Sequence, residues 1–538
     1  MAFIGIDLGT TFSEAAIAMK EDQQIKTQIC HGVISHSECI SSSVCFPRDD
    51  DGNKAPLVGD MIDGNYLDPK GAPGDTMVKE IKRLMGKRKS AITTPSGKRL
   101  EPEAISALIL KYVKHCAETD FGESVTDAVI TVPAYFGDKE RTATKQAGRI
   151  AGLNVRALIN EPTAAALAFG AHKKLRGRIL VYDLGGGTFD VTLMDCLDNN
   201  FTIIGTSGDK MLGGHEFTQE IYDFLLSDMK DKYDYVPNNT ELRRYESDWW
   251  DGCELAKRKL SVRATAAITY VIDGSPCVTT ITRAQFNAMT APLLRKTQVR
   301  IEKLLKDTNK LLKDTKKTWE STDEITWESI DEIIMVGGST YMAMIPEMLE
   351  RISGGKKPIR NEPQLDVVKG AAIYARQLEF GDKAMRDTEG TSSLITLADV
   401  TSKSLGARVY KGDTDILINS IIIKKNTPIP TEKSDIFEVR NDGQTSSLVT
   451  VLEGESSDPK RCTLIGQGTI NHPPYKKDHE LEYVYRYDVD QLIHVEVFDH
   501  GSGYKGDKLG EFDIKRNGNL SEQEVQELVQ WASCIDFG

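Results

Sequence analysis

Phe3-Ile4-Gly5-Ile6-Asp7-Leu8-Gly9-Thr10-Thr11-Phe12-Ser13 forms the first apolar run of the chain. Ile179-Leu180-Val181-Tyr182-Asp183-Leu184-Gly185-Gly186-Gly187-Thr188-Phe189-Asp190 repeats its plan 176 residues later. Each copy reads as a buried strand, an aspartate at its end, a glycine-threonine turn and a returning strand: Ala15–Ala18 in the first, Val191–Leu193 in the second. A device that recurs at this distance implies two related lobes facing one another, because solenoid repeats are far shorter. Both turns read as phosphate loops. Their glycines let backbone N–H groups approach phosphate oxygens, and threonine hydroxyls add donors. The carboxylate at each strand end suits a hydrated Mg²⁺ that bridges phosphates.

Working outward, Ala128–Pro133 is a strand closed by proline. Asp138 is expected to cap a helix carrying Ala143, Ala147, Ile150 and Ala151, which stops at Gly152-Leu153. Ile333–Thr340 is a third strand running into a glycine turn and a helix. Strands alternating with helices to about Phe380 give α/β architecture. The tandem heptads Lys303–Asn309 and Lys310–Lys316 are too few for a coiled coil and read as a surface helix. Gly381–Ser393 is polar, a linker. Beyond it, the alternating runs Ile416–Lys424, Ser447–Leu452, Leu481–Tyr487 and Leu492–Phe498 define an all-β module of roughly 120 residues. Its Gly501-Ser502-Gly503-Tyr504-Lys505-Gly506 precedes another strand, Leu509–Ile514, so it is a hairpin turn and not a dinucleotide loop. Ser521-Glu522-Gln523-Glu524 is a capping box for a helix with Val525, Leu528, Val529 and Ala532 on one face.

Composition narrows the class. The chain has 538 residues, 67 Lys+Arg against 80 Asp+Glu, and a formal charge of −13. At roughly 150 residues per domain this is three or four units. The basic clusters Lys82–Lys89 and Lys173–Arg178 lack interleaved aromatics and read as solvated faces, so no nucleic-acid partner is expected. The nine cysteines are scattered without a Cys-x-x-Cys pair, which suits a reducing compartment. Cys30, His31, His36, Cys39 and Cys45 crowd together but match no zinc-finger spacing. Ile34, Ile40, Val44 and Phe46 fall at even positions, as on one face of a hairpin. No secretory leader and no membrane-spanning run is visible, and a cytoplasmic location is expected.

The motifs IGIDLGTT, ITVPAYF, INEPTAAALAFG, VYDLGGGTFD and IIMVGGST resemble those of the DnaK-type heat-shock chaperones, in order from about residue 3 to about residue 520. The resemblance implies an actin-like, two-lobed ATPase domain (1–380), an interdomain linker (381–404), a β-sandwich peptide-binding domain (405–520) and a short terminal helix in place of a lid (521–538). It implies ATP/ADP and Mg²⁺ as cofactors, with K⁺ a candidate second cation. It assigns Gly9, Thr10, Thr11 and Phe12 to the first phosphate loop, and Gly185, Gly186, Gly187 and Thr188 to the second. Asp7 and Asp183 fall where the family holds Mg²⁺ through water. Lys82 matches the lysine beside the γ-phosphate; Glu161 and Asp190, with Thr188, match the groups around the attacking water. Glu254, Lys257, Arg258 and Ser261 match the helix that embraces adenosine, closed over by Gly338 and Ser339, with Gly214 and Gly337 also assigned to nucleotide binding. Pro133 and Arg141 match a nucleotide-sensing switch, and Asp399, within the linker, is assigned to the same coupling.

Several positions depart from the family pattern. Tyr341 stands where an arginine often stacks on adenine; its ring can stack too, so ATP binding is expected to persist with altered affinity. Gln364-Leu365 replaces an acidic pair. Ile395-Thr396-Leu397-Ala398-Asp399 is a less apolar linker, implying a weaker docking latch. Arg440 and Ser447 are expected at the arch over bound peptide. The roughly 18 residues after Leu520 make a helix of at most about 27 Å, which resembles the lidless members of the family and implies fast peptide release. The expected function is an ATP-dependent chaperone acting on unfolded or specific polypeptide clients, with J-domain and nucleotide-exchange co-chaperones as partners. The alternatives are an ATP-binding regulatory protein with a dedicated partner and, more remotely, a small-molecule kinase.

Overall fold

The computed structural model describes residues 2–21, 24–48, 54–65, 75–87, 91–172, 175–197, 200–272, 274–314, 324–381, 395–487, 493–501, 503–514 and 519–537. Most of the expected linker (382–394), Arg88–Lys89 and Lys173–Lys174 of the basic clusters, and the last two heptad residues lie outside the described residues.

Both hairpins form as the sequence dictates. Ala2–Asp7 pairs antiparallel with Phe12–Glu21, and Arg176–Leu184 with Phe189–Leu197. Each sits in its own sheet. Lobe I has the order Asn154–Asn160, Val125–Val132, Ala2–Asp7, Phe12–Glu21, Gln24–Ile29, with Ile40–Ser41 against Phe12–Glu21. Lobe II has Glu332–Val336, Arg176–Leu184, Phe189–Leu197, Asn200–Asp209 and, at its edge, Thr396–Ala398.

One hydrophobic cluster joins the two sheets. Phe3, Ala16 and Val129 of lobe I and Ile179, Val181 and Ile334 of lobe II bury against the helices Glu161–His172 and Asp366–Phe380. These helices cross so closely that a Cβ at Gly370 would meet the Ala164 carbonyl oxygen at 1.7 Å. Close packing of this kind fixes the floor between the lobes.

The C-terminal region is a sandwich of two antiparallel four-stranded sheets. Leu417–Ile423, Leu405–Tyr410, Gln444–Glu453 and Thr463–Tyr475 form one; Thr431–Glu438, Glu480–Tyr487, Ile493–Asp499 and Lys508–Asp513 form the other. The Gly501–Gly506 motif indeed joins two antiparallel strands.

Two local expectations need correction. The helix Asp138–Ile150 begins one residue earlier than Asp138 implies: Gly137 is its N-cap. A side chain at Gly137 would strike Glu453 and Lys403 of the sandwich, at 2.5 and 2.8 Å from its Cβ. Ile34 is exposed, and Ile40 and Val44 belong to different sheets, so they share no hairpin face. Ser447 is buried, with its hydroxyl 3.1 Å from His472 Nε2. Arg440 does lie at the surface, 3.7 Å above the exposed Tyr410 ring and paired with Asp415.

The terminal helix Glu522–Ser533 forms under its Ser521 capping box, and it rests on lobe I. Leu520, Val525, Ala532 and Ile535 are buried in the same core as helix Pro102–Phe121 and helix Asp138–Ile150. Arg149 pairs with Glu522, Gln146 donates to the Leu520 carbonyl at 2.7 Å, and Lys111 Nζ donates to the Ala532 carbonyl at 2.6 Å, satisfying a helix-end acceptor. Phe537 meets Tyr112 edge-on at 5.2 Å. Val525→Asp would bury an unpaired charge here, costing about 3 kcal/mol or more. Calorimetry of the full chain should show a lowered unfolding transition for Val525→Asp and none for Gln530→Ala, on the exposed face of the same helix.

Candidate functional site

The two hairpin turns meet across the cleft. Gly9 makes the first possible, since a Cβ there would lie 1.9 Å from the Phe12 carbonyl. A Cβ at Gly186 would lie 2.0 Å from Thr11 Oγ1, and one at Gly187 2.5 Å from Thr10 Cγ2. Only glycine lets the loops approach this closely. The second loop is braced from behind. Ser339 Oγ donates to the Gly185 carbonyl at 2.8 Å, as does the Gly214 N–H at 2.9 Å, while the His215 N–H donates to Gly186 at 2.7 Å.

Between the loops lies a cavity of about 690 Å³, the size of a small-molecule site. At its inner end Asp7, Glu14, Lys82, Glu161 and Asp183 line the wall. Lys82 Nζ pairs with Glu161 Oε1 at 2.5 Å, both side chains buried, and Thr131 Oγ1 donates to Asp7 Oδ1 at 2.5 Å. Strand register places Asp7 opposite Glu14 and Asp183 opposite Asp190, so each hairpin carries two facing carboxylates. Glu14 was legible as the counterpart of Asp190, since each follows its strand-end aspartate at the same spacing.

Electrostatics follow from this crowding. Burial works against the Lys82 cation, but Glu161, Asp7 and Asp183 outweigh it and hold the ammonium above its ordinary value. Burial, reinforced by Glu161 and Asp7, pushes Asp183 well above the usual carboxylate range; burial with Glu161 and Asp183 does the same to Asp190. Both Asp190 oxygens are buried without a hydrogen-bond donor. Asp190 is not among the residues that line the cavity; the carboxylates that do, Asp7 and Asp183, stand among like charges and fit a site that receives a hydrated cation. Among the described residues, no three His, Cys, Asp or Glu side chains gather tightly enough to ligate a metal directly.

At the outer end, Glu254, Lys257, Arg258 and Ser261 line the cavity from helix Asn239–Val262. Lys257 is committed elsewhere. Its Nζ donates to the Gly214 carbonyl at 2.7 Å and to Thr218 at 2.9 Å, and pairs with Glu254 at 2.6 Å. Burial would raise Glu254, but Lys257, Thr218 and Arg258 hold it down to about 2. Arg258 lies 5.6 Å from the Phe12 ring. Gly337, Gly338, Ser339 and the half-open Tyr341 complete the rim. Arg360, which sequence reading missed, lies 4.6 Å over the Tyr341 ring and donates to the Thr340 carbonyl at 3.2 Å. A cation–aromatic layer thus stands at this end, supplied by two distant segments.

The expected switch residues come together beside Glu161. Arg141 donates to the Phe136 carbonyl at 3.1 Å and to Asn160, and Asn160 Nδ2 donates to Asp399 at 2.7 Å. Pro133 accepts from the Phe136 N–H at 3.0 Å. Thr396–Ala398 is docked as a parallel edge strand on Asn200–Thr202, and Gln377 brackets Ile395 with two 2.8 Å hydrogen bonds. The linker is therefore one side chain removed from the residue preceding Glu161.

The family model for Hsp70 protein matches residues 3–535, nearly the whole chain.

The raised carboxylates make a pH prediction. Between the unfolded value of about 4 and the raised folded values of Asp183 and Asp190, the folded chain binds more protons than the unfolded one. Stability of the nucleotide-free chain must therefore fall as pH rises through that window. Asp190→Asn should flatten the fall, read as the melting temperature against pH.

Proposed function

We propose, for a chain that belongs to the Hsp70 family of ATP-dependent chaperones, that ATP is held and hydrolysed between the two hairpin loops and that the linker reports its state to the β sandwich. The family's members are ATPases that use Mg²⁺. The observation that carries the assignment is the apposition of the Thr10-Thr11 and Gly186-Gly187 turns over Asp7, Asp183 and a buried Lys82.

In this reading backbone N–H groups of Gly9–Phe12 and Gly185–Thr188 receive the phosphates. Asp7 and Asp183 would hold Mg²⁺ through water, and the ion would supply positive charge beside the phosphates. Lys82 sets positive charge where negative charge builds on the transferred phosphoryl group. Glu161 and Asp190, with Thr188, orient the attacking water, and one of the two carboxylates accepts its proton. Glu254, Arg258, Ser261 and the Tyr341–Arg360 layer receive the nucleoside. Pro133, Arg141 and Asn160 pass the state of the site to Asp399.

We read residues 1–380 as the ATPase domain, 381–404 as linker, 405–520 as client domain and 521–538 as a terminal helix. Its seat on lobe I supports a lidless chaperone with fast client release. Arg440 lying on Tyr410 supports a weakened preference for extended apolar segments. J-domain and nucleotide-exchange partners follow from the family. Among the described residues, no helix is long and apolar enough to cross a membrane. All nine cysteines are free thiols, which supports a cytoplasmic setting.

Single-turnover hydrolysis with and without a panel of unfolded peptides tests the proposal. The wild type should hydrolyse ATP faster with peptide. Lys82→Ala should lose about 10²–10³ in rate and all stimulation. Tight ATP binding without turnover in either protein would instead indicate a regulatory ATP-binding protein.

A further inference from the structure

The mouth of the cleft is bridged by contacts that the hydrolysis site does not use. Glu80, on lobe I, accepts from His215 Nδ1 on lobe II at 2.7 Å. The His215 ring lies against Trp250, with centroids 4.7 Å apart, and Tyr222 seats Trp250 from behind at 5.9 Å. The second Glu80 oxygen pairs with Arg83 at 3.3 Å. Arg83 itself crosses the cleft, donating to the Gly187 carbonyl at 2.7 Å and to Glu216 at 2.9 Å. Lys79 and Asp251 face each other more loosely at 3.9 Å. Lys79, Glu80, His215, Trp250 and Asp251 all line the cavity.

Glu80 is also a backbone outlier. It holds φ 57°, ψ 29°, a left-handed conformation that residues with a Cβ rarely adopt. Such geometry persists only where surrounding contacts over-determine it, and it concentrates at clamps and switches. Here the surroundings are the opposite lobe. The carboxylate also lies at the first turn of helix Gly214–Tyr233, where negative charge is favoured. Closing the cleft therefore completes Glu80's contacts, and opening it frees a strained residue.

We propose that Glu80 and His215 form a cross-cleft clasp that sets how long nucleotide stays bound. The proposal rests on the nucleotide reading above. Both are positioning residues: they act on the opening of the lobes and not on the reacting phosphate.

Stopped-flow release of a fluorescent ADP analogue from the full chain with Mg²⁺ tests it. Glu80→Gln and His215→Gln should each speed release about tenfold, equivalent to ~1.4 kcal/mol. The double variant should be no faster than the faster single one, because the pair acts as a unit. Glu80→Gly, which relieves the backbone while removing the carboxylate, should match Glu80→Gln. His215→Lys should restore slow release by pairing with Glu80. Single-variant rates within twofold of wild type, or effects that multiply in the double variant, would overturn the clasp while leaving the nucleotide site intact. A wild-type chain that fails to bind the analogue would overturn both.

Discussion

Asp7, Glu14, Glu161, Asp183 and Asp190 crowd one buried volume, with Lys82 buried among them. A folded chain does not gather like charges away from water without a counter-charge. Burial, reinforced by the neighbouring carboxylates, raises Asp183 and Asp190 well above the ordinary carboxylate range, and both Asp190 oxygens lack a donor. In the proposed reading, a cation and a phosphate chain in the cavity supply the missing counter-charge. The close glycine loops, the Ser339 brace and the crossing helices beneath are what hold that volume in shape.

A short hydrogen-bonded path runs from this site to the segment that leads into the sandwich. Glu161 pairs with Lys82 at 2.5 Å, and its neighbour Asn160 holds Asp399 at 2.7 Å while accepting from Arg141. Strand Thr396–Ala398 extends the lobe II sheet, so the linker is part of the ATPase fold in this conformation. The terminal helix Glu522–Ser533 packs on lobe I, and Glu453 of the sandwich stands against Gly137 of the same lobe.

Much of this was legible in the sequence, for identifiable reasons. The hairpins announce themselves because strand periodicity, glycine turns and a repeated aspartate coincide. The capping box at Ser521 is local, so the helix was readable; its seat on lobe I was not, because residues such as Lys111 and Gln146 lie hundreds of positions away. Arg360 escaped because the loop that lays it over Tyr341, 19 residues earlier, follows no strand or helix period. Ser447 is buried against His472, a pairing across 25 positions that lies beyond the reach of a local pattern. Gly137 caps its helix because the sandwich presses on it, a fact no local pattern contains.

Calorimetric titration of ADP into the wild type and an Asp7→Asn/Asp183→Asn variant, each with and without Mg²⁺, tests the central claim most directly. The wild type should bind at least about tenfold more tightly with Mg²⁺, and the variant should lose that gain. Equal wild-type affinity in the two conditions, or a Mg²⁺ gain that survives both substitutions, would contradict the account.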